Sequence, residues 1–174
     1  MTYGRCLRES RGAGTLRRTD KEITDQEHIA QIIKSCQVCR LGLAKDTIPY
    51  IIPVSFGYDG CALYVHTAKE GRKIDFFTAN SNVCFEFEHD VRIVTDDVSP
   101  CNWTFSYQSV IGHGTVRELT DLDEKTEGLL QIMKQYSDQE WSFSAESMQS
   151  ILVWKITIES MTGKQSKDRM VLDR

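Results

Sequence analysis

The stretch CRLGLAKDTIPYIIPVSFGYDGCALYVHT, residues 39–67, decides the fold class of this chain. It holds three short strand-like runs, at 39–44, 50–56 and 61–67. The segments that separate them, 45–49 and 58–60, have the length and composition of hairpin loops. In the third run, strict alternation places Leu63 and Val65 on one face and Tyr64 and His66 on the other. Hairpin spacing predicts consecutive antiparallel strands and does not suit a parallel doubly wound sheet.

The rest of the chain adds helices and longer strands. A capping box at 24–27, with Thr24 as the cap, predicts a helix whose apolar stripe is Ile29, Ile32, Ile33 and Cys36. Further helices are expected at 71–79, burying Ile74, Phe77 and Phe76, and at 120–137, with the stripe Leu129, Leu130, Met133 and Tyr136. Strands are expected at 83–88, continuing over 91–94 beyond a bend, and at 103–117 and 151–159, with a loop around Trp141 and Phe143. About six antiparallel strands with peripheral helices indicate a barrel or a sandwich.

Length and composition describe one ordinary globular domain. The chain has 174 residues, 40% of them hydrophobic, and a net charge of −4. No apolar run approaches the ~20 residues needed to cross a bilayer. The first residues lack the apolar core of a secretory signal. We therefore expect a cytoplasmic protein without a membrane partner.

Charge divides the chain unevenly. Residues 1–18 hold five arginines against one glutamate, a balance of +4, so the remainder carries −8. We interpret residues 1–18 as a flexible basic arm, 19–164 as the single domain and 165–174 as a C-terminal tail. The arm could contact nucleic acid, but the acidic body has no basic face to extend such a site. We expect no nucleic-acid partner.

A cluster of cations, Lys69, Arg72 and Lys73, lies between the third run and the next predicted helix. Cations at a helix N-terminus oppose the helix dipole. A bound anion reverses that penalty, because free backbone N–H groups and cations then converge on it. Gly71 would allow close approach, and Arg72 could bind a phosphate with two parallel hydrogen bonds. The alternative is a solvated basic turn balanced by neighbouring carboxylates.

Neighbouring strands could complete a ligand site. Pro53 inside a strand pattern predicts an edge or an interrupted ladder. We expect 53–55 to pair with the run 61–67, and backbone groups freed there could bind a heterocycle. On the long strand, one face carries a row of four side chains: Trp103, Phe105, Tyr107 and Ser109. Such a row is usual in a core but could also pack against a flat ring.

Other motifs exclude several kinds of chemistry. Cys36 and Cys39 have ligand spacing, but zinc would need a second pair and none follows. A redox pair opens a helix, whereas this pair follows one, so we expect two buried small residues and no metal site. No Gly-x-Gly-x-x-Gly or phosphate-loop motif is present. Paired carboxylates and a nucleophile–His–acid set for hydrolysis are not evident either.

Residues 17–164 resemble the nitroimidazole-resistance (Nim) branch of the pyridoxamine 5′-phosphate oxidase-like flavoproteins. The motifs are specific as an ordered set rather than singly. They are Arg17-Arg18-x-Asp20, Glu22-Ile23-x-Asp25, Cys39-Arg40-Leu41-Gly42, Pro49-Tyr50-Ile51-Ile52-Pro53-Val54-x-Phe56, Leu63-Tyr64-x-His66-x-Ala68-x-x-Gly71-Arg72-Lys73, Asn80-x-Asn82-Val83-Cys84-Phe85, Tyr107-x-Ser109-Val110-Ile111-Gly112-x-Gly114 and Thr162-Gly163-Lys164.

The resemblance implies a six-stranded antiparallel split β-barrel that forms a homodimer, with FMN at the subunit interface. It implies that Arg72 and Lys73 hold the FMN phosphate. By the same resemblance the isoalloxazine and ribityl chain are lined by Pro53, Val54, Ser55, Val65 and His66, and are approached by Tyr107 and Ser109 from the long strand. His66 matches a position credited with a catalytic role in nitroimidazole reductases; the alternative is a strand histidine that only hydrogen-bonds the flavin or a neighbour.

The sequence also departs from the oxidases of the family that act on pyridoxamine phosphate. These carry an arginine where Tyr50 stands and a lysine where Ser55 stands, and a C-terminal segment with tryptophan and arginine that this chain lacks. Vitamin B6 oxidation is therefore disfavoured. The expected function is FMN-dependent reduction of a small flat electrophile such as a nitroimidazole or nitroaromatic. The alternative is a non-catalytic flavin- or haem-binding module, with His66 as a possible iron ligand.

Overall fold

The computed structural model describes residues 18–166, and within them one antiparallel sheet of eight strands. The strands are β1 Glu22–Ile23, β2 Cys39–Lys45, β3 Ile48–Val54, β4 Gly57–Tyr58, β5 Ala62–Ala68, β6 Asn82–Val94, β7 Thr104–Glu118 and β8 Ile151–Gln165. The helices are α1 Gln26–Ser35, α2 Arg72–Ala79, α3 Leu122–Tyr136 and α4 Ala145–Gln149, with short 3-10 turns at Thr19–Lys21 and Pro100–Asn102. The predicted arm and tail lie largely outside the described residues, although β8 extends to Gln165.

The sheet curls but does not close. Its strand order is β3-β2-β6-β7-β8-β5-β4, with β1 added beside β8. The two outermost strands, β3 and β4, are consecutive in the chain, and Val54 and Gly57 are only three residues apart. Their Cα atoms therefore lie within about 11 Å, which brings the opposite edges of the sheet together. The result is the predicted split β-barrel, and its six long strands are the six that the sequence predicts.

The interior of the barrel is filled by the inward-facing residues of the long strands. Leu41, Phe85, Phe87, Val65 and Ile156 are completely buried there. Packing is close enough that Gly112 on β7 has no room for a side chain, because a Cβ would lie 2.1 Å from the ring of Phe85. The glycine-rich part of β7 thus marks a close approach, and the register with β8 shifts there, between His113 and Gly114.

Helix α1 begins one residue later than the capping box predicts. Asp25, not Thr24, is the N-cap, and its carboxylate accepts a hydrogen bond from the backbone N–H of Glu27. A two-residue side-chain-to-backbone bond of this kind is common for aspartate at a helix start. The predicted stripe is confirmed: Ile29, Ile32, Ile33 and Cys36 are buried.

The second half of the chain departs from its predicted pattern in two places. The buried residues of α3 are Gly128, Leu129 and Ile132, whereas Leu130 and Met133 are only partly buried. The stripe is displaced because Gly128 lets the helix axis approach Leu119, Val153 and Tyr64 closely. The short helix α4 lies where a loop was expected, and Ser144 caps it. No helix among the described residues is long and apolar enough to cross a membrane.

Candidate functional site

The split of the barrel runs between β3 and β5. Strand β3 pairs with β2 over its whole length, with Pro53 opposite Arg40. The expectation that 53–55 pairs with the 61–67 run is wrong: only Gly57 and Tyr58 of β4 pair with β5 there, opposite Tyr64 and Leu63. Pro53 has no N–H to extend a ladder, which is consistent with its place in an edge strand, as predicted. Beyond Tyr64, the edge of β5 that faces away from β8 has no strand beside it within residues 18–166.

The cationic turn lies at the end of β5, where α2 begins. Gly71 is the N-cap of α2 with φ of +131°, a conformation that favours glycine, and within residues 18–166 no side chain caps this helix start. A Cβ on Gly71 would have no described atom within 4 Å, so the space in front of the helix is open. Uncapped N–H groups facing open space suit an anion.

Arg72 connects this helix start to the edge strand. Its guanidinium lies 4.7 Å from the centre of the Tyr50 ring on β3 and 5.6 Å from that of Phe76 on α2. The two rings themselves are 4.9 Å apart. The cation is therefore held over aromatic faces, while its N–H groups remain available to a ligand. Tyr50, the residue that stands in place of the arginine of pyridoxamine phosphate oxidases, thus lies beside the cationic turn.

His66 on β5 lies near enough to Lys73 on α2 for the positive charge of the lysine to act on its imidazole. Partial burial of His66, and then the positive charge of Lys73, lower the pKa of His66 below its ordinary value of 6.5. Both effects favour the neutral imidazole. The adjacent Thr67 is buried, and its hydroxyl accepts a hydrogen bond of 3.0 Å from the indole N–H of Trp154. Trp154 also packs against Phe77 of α2. It therefore holds the end of β5 and the helix α2 together on the side of the barrel interior.

The structure brings together most, but not all, of the predicted site residues. Pro53 and Ser55 are exposed and Val54 is partly buried at the β3 side of the split. Val65 is completely buried with its side chain in the barrel interior, so only its backbone could touch a ligand. The predicted role of Val65 in lining the flavin would therefore fall to its backbone, because strand alternation turns its side chain inward.

Tyr107 and Ser109 lie on β7, and two strands, β6 and β2, separate them from β3. Toward β5 the distance along the sheet is long, because Ser109 pairs with Lys164 of β8 whereas His66 pairs with Val153. Toward β3 it is shorter, three strand spacings or about 15 Å, because Ser109 pairs with Glu88 on β6, and β6 pairs with β2, which pairs with β3. The aromatic row is also not core: Trp103 and Phe105 are 56% and 54% exposed.

The cysteine pair has no visible role in chemistry. Cys36 and Cys39 are buried free thiols, as predicted. Burial is the main cause that raises the pKa of both, so neither is a reactive thiolate. Among residues 18–166, no three His, Cys, Asp or Glu side chains are grouped so that they could hold a metal ion.

Known proteins with similar sequences and structures show the family of this chain. The model of the family "Pyridoxamine 5'-phosphate oxidase" matches residues 25–165. A structure from Bacteroides thetaiotaomicron, of a protein assigned to 5-nitroimidazole antibiotic resistance, is 32% identical, with a TM-score of 0.74 over 82% of this chain and 85% of that one. No curated protein matches the sequence.

Two further structures share the fold at lower identity. The flavocytochrome Anf3 from Azotobacter vinelandii is 20% identical, with a TM-score of 0.77 over 91% of this chain and 75% of that one. An FAD- and haem-binding protein from Mycobacterium smegmatis is 18% identical, with a TM-score of 0.77 over 85% and 74%. The family match spans most of the barrel and both sides of its split, and the chain belongs to the pyridoxamine 5′-phosphate oxidase-like family.

Proposed function

We propose that this protein binds FMN in the split of the barrel and uses it to reduce a small flat electrophile such as a nitroimidazole. The observation that carries the proposal is the open, uncapped start of α2 beside two strand edges that do not pair with each other. The open helix start suits a phosphate. The unpaired strand edges suit a planar heterocycle with hydrogen-bond donors and acceptors on its rim.

The phosphate half of the site rests on α2. Arg72 and Lys73 are its first two residues, and Gly71 leaves the approach to their N–H groups open. A dianionic phosphate there would favour the helix dipole and compensate the two cations. Tyr50 and Phe76 hold the Arg72 guanidinium in place, so little side-chain entropy is lost when the phosphate binds.

The ring half rests on the two edges of the split. β3 pairs with β2 along one edge only, so backbone groups on its other edge at Pro53, the Ser55 hydroxyl and the free edge of β5 at His66 could contact a ring. Bound FMN supplies two-electron transfer to a substrate, which the side chains present do not provide. The chain's own contribution is to orient the ring, keep the His66 imidazole neutral and shield one side of the ring from water.

A second copy of the chain would complete the site. Tyr107 and Ser109 are half-buried on β7, in one row with Trp103 and Phe105, which are exposed. A twofold partner could bring this row over the exposed face of the ring, which would bury both apolar residues. The functional unit that we propose is therefore a homodimer, and its other partner is the small-molecule substrate.

The substrate class follows from the family member at 32% identity and from this chain's own departures. That relative is assigned to 5-nitroimidazole antibiotic resistance. Tyr50, where pyridoxamine phosphate oxidases carry an arginine, is already in contact with Arg72 and offers no second cation for a substrate phosphate. The site therefore suits an uncharged aromatic substrate better than a phosphorylated one.

The first experiment is a titration of the purified protein with FMN, followed by flavin fluorescence and visible absorption. We expect one FMN per subunit, with riboflavin bound more weakly because it has no phosphate. A protein that binds neither flavin would contradict the proposal.

The second experiment tests the electron acceptor without requiring the physiological donor. The FMN-loaded protein is reduced with dithionite under anaerobic conditions, freed of excess reductant and mixed with a 5-nitroimidazole. We expect the flavin absorption band to return as the nitro group takes up two electrons and two protons and loses water to give a nitroso group. The control is the des-nitro imidazole. If the band returns equally slowly with both compounds, the protein binds flavin without nitroreductase activity.

A haem-binding module is the second candidate, and the state of His66 is the observation that favours it. Burial and Lys73 favour its neutral imidazole, the form that an iron ligand must have. Two structures of the same fold come from haem-containing proteins by their names. Addition of haem to wild type and to His66→Ala discriminates, since a ligand histidine shifts and sharpens the Soret band of haem and the variant would lose that change.

A further inference from the structure

One tyrosine outside the predicted site fixes a peptide bond inside it. The hydroxyl of Tyr136, at the end of α3, accepts a hydrogen bond of 3.0 Å from the backbone N–H of Phe56. The same hydroxyl donates one of 2.9 Å to the backbone carbonyl of Gln37. These partners are 80 and 99 residues away in the sequence. Tyr136 thus ties the link between β3 and β4 to the link between α1 and β2.

The bonded N–H belongs to the peptide that joins Ser55 to Phe56. A trans peptide is planar, with its N–H and C=O pointing in opposite directions, and the described residues contain no cis peptide. Holding the Phe56 N–H on Tyr136 therefore directs the Ser55 carbonyl away from α3. No other group among residues 18–166 is bonded to that carbonyl. It remains a free acceptor in the segment that borders the split.

The elements behind this contact are held rigidly. A Cβ on Gly57 would lie 2.4 Å from the backbone of Gln131, so α3 packs directly against β4. The Phe56 ring is completely buried and packs against Phe87, with the centres 4.8 Å apart. Tyr136 therefore aims the peptide from a fixed frame, and neither end of the contact can move freely.

The hydroxyl is able to play both hydrogen-bonding roles at once. It must stay protonated to donate to Gln37, and burial raises the pKa of Tyr136 above its ordinary value. The hydroxyl therefore remains a donor and an acceptor throughout the pH range in which the protein would be assayed.

We propose that Tyr136 is a positioning residue for the flavin ring, which it serves by fixing the orientation of the Ser55–Phe56 peptide. The inference rests on the proposed FMN site. A carbonyl held in one orientation can accept a hydrogen bond from an N–H on the rim of the ring without first losing conformational freedom. In its absence the peptide could rotate and the ring would bind in several orientations.

The test compares Tyr136→Phe with Gln135→Met. Gln135 is the neighbouring residue on α3, and its side-chain amide also makes two hydrogen bonds to the end of α1, at the carbonyls of Lys34 and Cys36. Neither of these bonds involves Phe56. Each variant therefore removes two hydrogen bonds made by a side chain of α3, and only Tyr136→Phe frees the peptide in the split.

We expect Tyr136→Phe to raise the Kd for FMN about fivefold, and the Kd for riboflavin by the same factor, because the lost contact concerns the ring. The visible band of bound FMN should also shift or broaden in this variant. Both variants should lower the thermal midpoint of unfolding by similar amounts, because each loses two hydrogen bonds. Gln135→Met should nevertheless keep both Kd values within twofold and leave the visible band of bound FMN unchanged.

Three outcomes overturn the inference. Wild-type affinity and an unchanged spectrum in Tyr136→Phe would show that the peptide needs no fixing. Equal losses in both variants would show a general loosening instead of positioning. A wild-type protein that binds neither flavin would overturn the proposed function and this inference together, whereas the first two outcomes leave the FMN site in place.

Discussion

The two ladders at the edges of the barrel, β2–β3 and β4–β5, come from sequences of similar character but differ greatly in length. β2 and β3 pair over seven consecutive residues, from Cys39 opposite Val54 to Lys45 opposite Ile48. β4 and β5 pair over only two, although β5 is as long as β2. Both regions are rich in apolar strand formers, so intrinsic strand propensity does not explain the difference.

The short ladder ends because its backbone groups are used elsewhere. Pro53 has no N–H, the N–H of Phe56 goes to Tyr136, and Gly57 lies against the backbone of α3. The regular ladder builds the scaffold, whereas the interrupted one leaves the split beside the cations of α2. The candidate site lies where strand pairing stops.

The largest effect is expected from filling the contact that ends the short ladder. Gly57→Ala places a Cβ 2.4 to 2.5 Å from three backbone atoms of Gln131 and Ile132, which cannot move without displacing α3. We expect a loss of about 3 kcal/mol in the free energy of unfolding by urea denaturation.

Gly42→Ala in the regular ladder is the matched control. Its Cβ would lie 3.5 Å from that of Cys84, an ordinary contact. We expect a change of less than about 1 kcal/mol, since alanine also stiffens the unfolded chain. Similar losses in both variants would mean that α3 does not restrain β4 as the structure indicates.

A second change removes the cations beside the split and leaves the ladders intact. Replacing Arg72 and Lys73 together with alanine should raise the Kd for FMN about a hundredfold, because two charge-assisted bonds are worth roughly 3 kcal/mol or more. Fluorescence titration with riboflavin should change little, since it carries no phosphate. Lys134→Ala, which removes an exposed cation from α3, is the control. Equal losses for FMN and riboflavin would place the phosphate elsewhere.

Local patterns in the sequence were enough to predict the regular parts of this fold. The stripe of α1 is set by spacing within one helix, and the β2–β3 hairpin is set by adjacent runs. Even there, details differ: the five-residue loop 45–49 is a two-residue turn, in which Asp46 adopts φ of +54°. Aspartate tolerates this conformation, so the strands extend further into the loop than composition indicates.

The contacts that shape the split could not be predicted from local patterns, because they join residues far apart in the sequence. Tyr136 was predicted as a stripe residue of its helix, but its hydroxyl acts on Phe56 across 80 residues of sequence. Trp154 was one position in an alternating strand, yet its indole N–H holds Thr67 beneath the cationic turn. Neither contact follows from periodicity. The location of Arg72 and Lys73 at a helix start could be predicted, because helix and turn are local.

The smallest expected effect is a change in the pKa of His66, and it separates the contribution of burial from that of Lys73. Partial burial and then Lys73 lower the pKa of His66, so the folded protein binds a proton there less readily than the unfolded chain does. The resulting loss of stability is absent well above pH 6.5, grows as the pH falls through 6.5 and is complete below the folded-state pKa. Lys73→Ala should raise the pKa of His66 in the flavin-free protein, measured by NMR titration of the imidazole, while Lys69→Ala should not. Because burial remains, the pKa of His66 in Lys73→Ala should still stay below 6.5. A return to 6.5 would instead show that the charge of Lys73 alone lowers the pKa of His66, which would then report the charge at the start of α2.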